Sequence, residues 1–231
     1  MRPLIHVLSI QCHGQQRHPV ALETNEGVVL VDCPDPGYYP QLRDALVQSS
    51  LDPAQICAVI LTHHDYDHLG TLAEILVAAP AAKIYASAAE TPYISGQFPS
   101  LRLPKSDNTQ ANCEFRQMLL SIPSFSVNNT LEDGQELPWC GGAIVILTPG
   151  HTPGHLSLYL PWAKTLIAGD ALCAENGCLF PPSSQYTLNM PQALRSLHKL
   201  QRYPICCAVC YHGGIVVGDN LSAQIAFLAA Q

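Results

Sequence analysis

The residues best suited to chemistry lie in one short stretch, from His63 to Leu69. Its seven positions hold three histidines and two aspartates. Burying so many ionisable groups together is costly, because desolvation penalises each charge and like charges repel, unless a cation binds among them. Imidazole nitrogens and carboxylate oxygens are also ordinary ligands of divalent metals. This stretch therefore predicts a metal site.

Three further residues of ligand type occur in a similar setting. His151, Asp170 and His212 each follow an apolar run, as the His63 stretch follows residues 56–61. A single histidine or aspartate at the end of a strand is more often a turn former or an ordinary hydrogen-bonding residue. Four such strand ends in one chain instead favour one shared site at the carboxyl ends of strands, where sheet-based enzymes commonly place their chemistry.

Hydrophobic periodicity predicts the elements that must position these residues. Apolar spacing of the helical kind predicts helices at residues 39–50, 70–79, 107–121, 189–200 and 221–230, with Asp107 as the cap of the third. Apolar runs bounded by turn residues predict strands at 4–10, 20–24, 28–32, 56–61, 83–86, 125–128, 143–148, 156–160, 165–168 and 205–211. Residues 93–104 and 172–188 are predicted to be long loops, and the first is expected to line or cover a pocket.

Composition disfavours several classes of partner. The chain has 231 residues, which predicts one α/β domain over residues 1–231. Its net charge is −7 with only 13% charged residues, which disfavours nucleic acid and polybasic membrane contacts. The N-terminal stretch lacks a secretory cleavage pattern, and no run approaches the roughly 20 apolar residues of a membrane span. We expect a cytoplasmic protein that acts on a small molecule; nothing in the sequence indicates its oligomeric state.

The ten cysteines do not form a recognisable framework. They are scattered through apolar surroundings, so free buried thiols in a reducing compartment are the favoured interpretation. Cys206, Cys207 and Cys210 are close enough in sequence to form a second metal or redox site, which is the alternative. No second cysteine pair matches this cluster, and its apolar setting favours a buried strand.

The order of these motifs resembles the metallo-β-lactamase superfamily. The resemblance covers nearly the whole chain and rests on Thr62-His63-x-Asp65-x-Asp67-His68, the run from Thr148 to His155, Gly169-Asp170, and His212-Gly213. It implies a four-layer αββα sandwich with a two-metal site at one edge of the sheets. It further implies metal one at His63, Asp65 and His151, metal two at Asp67, His68 and His212, a bridging Asp170, and a buried partner role for Asp32.

One residue departs from the family pattern, which more often has a histidine at the position of Asp65. With Asp65, Asp67, Asp170 and a bridging hydroxide, two divalent ions give a formally neutral centre, whereas a histidine would leave it one unit positive. An oxygen ligand also shifts preference toward harder ions. Zinc is the first choice for both ions, with iron or manganese as alternatives. The other interpretation is that Asp65 is an ordinary loop carboxylate and metal one is weak or absent.

The resemblance implies a metal-dependent hydrolase. We expect the bridging hydroxide to attack an ester, thioester or lactone-type carbonyl while Asp67 holds or shuttles the proton. His64 is expected to act from outside the ligand set, and His155 to orient its loop. About nineteen residues follow His212, too few for the C-terminal region of glyoxalase II-like thioesterases, so a small lactonase, thioesterase or ester hydrolase is expected. The alternative is a non-catalytic binding or regulatory module with a partial metal site.

Overall fold

The β-strands make up the centre of the molecule, which a computed structural model describes over residues 4–104 and 109–230. In chain order, the strands are β1 Ile5–Val7, β2 Ile10–Cys12, β3 Gln15–Arg17, β4 Val20–Thr24, β5 Gly27–Val31, β6 Ile56–Ile60, β7 Lys83–Ser87, β8 Asn129–Leu131, β9 Glu136–Leu137, β10 Ala143–Leu147, β11 Leu156–Leu160, β12 Thr165–Gly169, β13 Cys173–Glu175, β14 Cys178–Phe180, β15 Cys207–Cys210 and β16 Gly214–Val217.

Two six-stranded sheets and two small hairpins result from the pairing of these strands. The first sheet has the order β1-β4-β5-β6-β7-β8, and its pairs from β5 to β8 are parallel. The second has the order β16-β15-β12-β11-β10-β9, where only the β12–β15 pair is parallel. β2 pairs with β3, and β13 with β14.

Helices connect the strands and cover the outer faces of the sheets. In chain order, they are α1 Tyr39–Gln48, α2 Tyr66–Leu69, α3 Leu72–Ala78, α4 Thr91–Ile94, α5 Gln110–Ser121, α6 Met190–Leu200 and α7 Leu221–Ala229. The starts of α6 and α7 are capped by Asn189 and Asn220, whose side chains accept hydrogen bonds from backbone N–H groups in the first turn. None of the helices among the described residues is long and apolar enough to cross a membrane.

Four layers follow from the alternation of side chains along the strands. In β5, Leu30 packs with α1 and α3, whereas Val29 faces the second sheet. In β12, Leu166 packs with α6 and α7, whereas Ile167 faces the first sheet. Each sheet therefore has one face on its own helices and one on the other sheet. This is the αββα sandwich that the resemblance implied, and the prediction of fold class is confirmed.

The structure differs from the predicted elements in several places. The strand expected at 4–10 is broken into β1 and β2, because the chain turns back into the β2–β3 hairpin. The strand expected at 125–128 lies at β8 instead. Residues 172–188 were predicted to be a loop but contain the β13–β14 hairpin. Asp107 lies outside the described residues; the cap of α5 is Thr109, whose side chain accepts from the Asn112 N–H.

Candidate metal centre

The ends of strands from both sheets meet at one edge of the sandwich. β5 and β6 run parallel, and so do β12 and β15, while β10 and β12 are both antiparallel to the β11 strand between them. The carboxyl ends of these strands therefore share an edge within each sheet. A hydrogen bond of 3.0 Å from the Leu156 N–H to the Thr62 carbonyl joins the two sheets there.

The first group of side chains at this edge contains His63, Asp65 and His151. The Oδ2 atom of Asp65 lies 3.2 Å from Nε2 of His63 and 3.1 Å from Nε2 of His151. All three residues are buried. The sequence placed His63 and Asp65 on one loop and His151 on another. In the structure, one ligand-type atom from each of the three residues lies within 4.8 Å of the others.

The second group contains Asp67, His68 and His212. The Nε2 atom of His212 lies 3.4 Å from Oδ2 of Asp67, and one ligand-type atom of each residue falls within 4.8 Å of the others. Asp170 lies between the groups, with Oδ1 3.2 Å from His68 Nε2, and Oδ2 3.4 Å from His151 Nε2 and 3.3 Å from His212 Nε2. The central position of Asp170 is the one that the resemblance implied for a bridging carboxylate.

Most of these separations, at 3.2–3.4 Å, are close to those of atoms that share a metal ion, whereas the 3.1 Å contact between His151 Nε2 and Asp65 Oδ2 is a hydrogen bond. Tetrahedral coordination with bonds of about 2.0–2.2 Å puts neighbouring ligand atoms about 3.3–3.6 Å apart. In addition, His63 Nε2, His68 Nε2 and Asp170 Oδ1 are buried without a hydrogen-bond partner among the described residues. Buried polar atoms are rarely left without a partner, so three that converge on one point fit a cation between them.

Asp32 sets the orientation of two of the histidines. It accepts hydrogen bonds from the Thr62 N–H at 2.8 Å, from the Thr62 hydroxyl at 2.7 Å and from His68 Nδ1 at 2.9 Å. Because the Thr62 hydroxyl donates to Asp32, it must accept from His63 Nδ1 at 3.0 Å. Both imidazoles therefore carry the proton on Nδ1 and present the lone pair of Nε2 to the centre. The buried partner role implied for Asp32 is confirmed by these contacts.

His155 fixes the backbone of Asp170 through a hydrogen-bond chain of definite direction. Its Nε2 accepts from the Asp170 N–H at 2.9 Å, so Nδ1 donates to the Thr148 hydroxyl at 2.8 Å. Thr148 then donates to Ser157 at 3.0 Å, and Ser157 to a backbone carbonyl of β12 at 2.9 Å. Burial and the neighbouring His151 lower the pKa of His155 to about 3, which keeps the ring neutral, as this chain requires.

A glycine is needed next to this chain. Gly169 has φ +55°, and a Cβ at that position would lie 2.7 Å from His155 Nε2. A side chain would therefore push His155 away from the Asp170 N–H. The space taken by His155 thus explains why a glycine precedes Asp170 in the sequence motif.

Glu90 is a site residue that the sequence did not reveal. It is fully buried, and its Oε2 accepts hydrogen bonds from the backbone N–H and the Nδ1 of His64. Its Oε1 accepts from the Thr152 hydroxyl at 2.7 Å and the Gly154 N–H at 2.6 Å. One carboxylate thus ties the His63 loop to the His151 loop. His64 contacts Glu90 and belongs to none of the metal-type groups among the described residues. The one available signal for Glu90 was its position just after β7.

Arg102 was missed as well, although the loop that contains it was expected to cover a pocket. Its Nε donates to Asp65 Oδ1 at 2.8 Å and its Nη2 to Asp65 Oδ2 at 2.5 Å. The same Nη2 lies 3.1 Å from Nε2 of His151. The first group therefore has a guanidinium in contact with two of its three members.

A second arginine lies beside the other group. Arg17 forms a buried ion pair with Asp35 at 3.1 Å, and its Nε is 3.4 Å from Asp67 Oδ2. Its Nη1 lies 3.3 Å from His212 Nδ1. Because arginine only donates, Nδ1 of His212 is the acceptor in this contact. Neither Arg17 nor Asp35 belongs to a sequence motif.

The electrostatics of the centre keep two carboxylates ionised. Burial by itself would raise the pKa of Asp65, but His63, His151 and Arg102 together hold it well below its usual range. Burial opposes ionisation of Asp170 in the same way, and the neighbouring histidines hold its pKa well below its usual range as well. Both side chains are therefore available as anionic ligands.

A cavity of about 390 Å³ lies beside the ligand loop. Residues 93–104 were expected to line or cover a pocket, and Tyr93, Phe98 and Leu103 line this cavity. Tyr66, which separates Asp65 from Asp67, contributes to its wall. Its other walls combine apolar side chains, such as Ile94 and Leu119, with polar ones, such as Gln97 and Ser100. The cavity thus adjoins His64 and Tyr66 of the ligand loop, and its lining includes none of the proposed ligands.

Cysteines take no part in any of these groups. The nine whose side chains are described are all free, and no metal-type group among the described residues contains a cysteine. Cys207 and Cys210 lie in β15, as the favoured interpretation of a strand predicted. The side chain of Cys140 is outside the described part.

An αββα sandwich with histidines and aspartates gathered at the shared edge of its sheets defines the class of metallo-hydrolases. The family model "Metallo-beta-lactamase superfamily" matches residues 15–204 of this chain. The chain therefore belongs to the metallo-β-lactamase superfamily, as the motifs predicted.

Individual relatives are distant. The chain is 29% identical to the probable metallo-hydrolase YflN of Bacillus subtilis (strain 168) over 216 residues, which are 87% of this chain and 81% of that protein. It is 29% identical to a hydroxyacylglutathione hydrolase of Synechococcus sp. (strain JA-3-3Ab) over 158 residues, 67% of this chain and 50% of that protein. A metallo-β-lactamase family protein from Thermus thermophilus has a similar fold, with a TM-score of 0.76 and 22% identity over 98% of this chain and 78% of its own.

Proposed function

We propose that this protein is a metal-dependent hydrolase that cleaves an ester, thioester or lactone at a two-metal centre. The observation that carries the proposal is the position of Asp170. Its two oxygens lie 3.2–3.4 Å from histidines of both groups, so one carboxylate serves two adjacent ligand sets. Such sharing is typical of two-metal sites.

The residues of the two groups would hold the ions, with zinc as the first choice and iron or manganese as alternatives. In the proposed assignment, the first ion is held by His63, Asp65 and His151, and the second by Asp67, His68 and His212, with Asp170 common to both. When bound, the pair of ions polarises a carbonyl group and lowers the pKa of a shared water.

Asp67 is the residue proposed to hold or shuttle the proton. It lies in the second group, and its backbone carbonyl accepts a hydrogen bond from the Tyr211 hydroxyl at 2.6 Å, which fixes its position. Burial is the main reason why the pKa of Asp67 is raised above its usual value. A carboxylate with a raised pKa accepts a proton more readily, as this role requires.

The substrate class rests on two lines of support. The relative from Synechococcus is named for the hydrolysis of hydroxyacylglutathione, which is a thioester. The cavity beside the ligand loop has a volume of about 390 Å³ and both apolar and polar walls, which leaves room for an acyl portion. We therefore propose a small-molecule substrate whose scissile carbonyl lies at the metals and whose acyl chain extends along residues 93–103.

Turnover of a substrate panel tests the proposal. Thioesters, aryl esters and lactones with acyl chains of increasing length would be assayed with the zinc-loaded protein. His63→Ala and Asp170→Ala should each reduce hydrolysis to background and lower the zinc content, because each removes a ligand. His198→Ala, a change at an exposed histidine, is the matched control and should retain activity. Turnover retained in either ligand variant would refute the assignment.

A second candidate is a non-catalytic module with a partial metal site. The contact of Arg102 with both oxygens of Asp65 favours it, because this contact occupies a proposed ligand. The same panel separates the candidates. A module would bind at most one ion per chain and hydrolyse none of the substrates, whereas the hydrolase would turn over at least one of them.

A further inference from the structure

The inference concerns Arg102 and rests on the proposed metal centre rather than on the substrate. Arg102 forms a two-point ion pair with Asp65, at 2.8 and 2.5 Å. Its side chain is only 13% exposed, and that of Asp65 only 7%. Paired hydrogen bonds between a guanidinium and a carboxylate are both strong and geometrically specific. The pair is therefore a specific contact within the centre.

The contact blocks ligand atoms of the first group. Arg102 Nη2 donates to Oδ2 of Asp65. The same oxygen lies 3.2 Å from His63 Nε2 and 3.1 Å from His151 Nε2. Arg102 Nη2 also lies 3.1 Å from His151 Nε2, the atom through which His151 would bind a metal. A metal ion bound by these atoms would lie beside a guanidinium nitrogen, and the two cations would repel each other.

Arg17 at the second group is in a different situation. Its closest carboxylate is Asp35, at 3.1 Å, and Asp35 is outside the proposed ligand set. Its contacts to Asp67 and His212 are longer, at 3.4 and 3.3 Å. The shortest ion pair of Arg17 is thus with a carboxylate outside the ligand set, although Arg17 also pairs with Asp67, whereas both short hydrogen bonds of Arg102 are to Asp65 itself.

The net charge of the ligand set and Arg102 also favours weak binding of a second ion. Three carboxylates, those of Asp65, Asp67 and Asp170, lie in the ligand set, and Arg102 neutralises one of them. One divalent ion neutralises the remaining two. A second divalent ion, even with a bridging hydroxide, would leave these ligands and Arg102 one unit positive in a buried site, which is less favourable than the same centre without the guanidinium.

We propose that Arg102 competes with metal for Asp65 and His151, so that the first group binds its ion much more weakly than the second. The centre then holds one ion tightly at Asp67, His68, His212 and Asp170. A second ion binds only as the guanidinium leaves Asp65. Arg102 is in this sense a positioning residue that sets how many metals the protein holds.

Zinc titration of the metal-free protein, followed with a chromophoric competitor, tests this proposal. The unmodified protein should show two unequal dissociation constants and retain about one zinc per chain after dialysis. In Arg102→Gln the second dissociation constant should fall about 10- to 100-fold, the range typical when a group contacting metal ligands is changed. In the double variant with Asp65→Asn this gain should disappear, because the uncharged amide replaces the freed carboxylate.

The matched control is Arg43→Gln. It removes the same charge from an exposed arginine that pairs with Asp44, and it should leave both constants unchanged. Two equal constants in the unmodified protein would overturn the proposal, as would an unchanged or increased second dissociation constant in Arg102→Gln. An increase would mean that Arg102 supports Asp65 as a ligand.

A second measurement does not depend on a variant. The Nε–H resonance of Arg102 in a ¹⁵N-labelled sample reports its hydrogen bond to Asp65. It should be unaffected by the first equivalent of zinc and shift with the second; a shift complete at the first equivalent would contradict the proposal. Neither experiment requires turnover, so failure of the substrate panel and failure of this inference can be told apart.

Discussion

Replacement of Glu90 by alanine is the perturbation that most directly tests how the centre is held together. Glu90 is buried and accepts four hydrogen bonds, two from His64, one from Thr152 and one from Gly154. Alanine leaves all four donors without that acceptor. Since these donors belong to the His63 and His151 loops, the variant loosens the connection between the two halves of the centre.

The expected loss of stability follows from these contacts. A buried donor left without a partner costs about 1–3 kcal/mol, but four in one network are not additive. The loss of one charged partner from a buried network costs about 3–5 kcal/mol. For a chain of this size, about 2–4 °C of melting temperature corresponds to 1 kcal/mol, so we expect a decrease of about 6–20 °C. Glu90→Gln keeps the shape of the side chain but turns an NH₂ group toward donors. Its melting temperature should therefore lie between those of Glu90→Ala and the unmodified protein.

Thermal unfolding followed by circular dichroism measures this effect, with a chelator present so that metal binding does not contribute. Glu132→Ala, a change at an exposed glutamate, is the matched control. A surface change of this kind alters stability by at most about 0.5 kcal/mol. If Glu90→Ala melts within about 2 °C of the unmodified protein, the carboxylate does not hold the loops together and the reasoning is refuted.

Two further predictions concern the metal. Asp32→Asn should lower zinc affinity about 10- to 100-fold, because its NH₂ group must face either the Thr62 N–H or the two donors that share Oδ2, and it can accept from neither; unchanged affinity in a competition titration would contradict the orientation argued for both histidines. Zinc at about 1,000 times its dissociation constant should raise the melting temperature by about 8–16 °C, since binding to the folded state alone adds about 4.1 kcal/mol. A calorimetric scan with no zinc-dependent shift would argue against the centre.

Much of the fold and of the ligand set could be predicted because the relevant signals are local. An apolar run followed at once by a histidine or aspartate marks a strand end, and parallel strands bring such ends to one edge. His63, Asp170 and His212 were found in this way. Asp32 was found through the resemblance, and its contacts confirm the role implied for it. The use of His63, Asp170 and His212 as metal ligands stays a prediction.

Glu90 and Arg102 could not be found because their partners are remote in sequence. Glu90 lies 62 and 64 residues from Thr152 and Gly154, and Arg102 lies 37 residues from Asp65. Neither residue has a periodic or motif context that would distinguish it from an ordinary surface residue. Their contacts depend on how β7 and residues 93–104 pack over the edge of the sandwich.

The sequence by itself determined which residue types stand at the strand ends, because strand boundaries and turn chemistry are set by neighbouring residues. Only the tertiary structure decided what surrounds them. The Asp65 carboxylate, which sequence reasoning left as either a ligand or a loop residue, lies between two histidines and a guanidinium. Its competing partners come from separate loops, and their placement depends on long-range packing that no local pattern encodes.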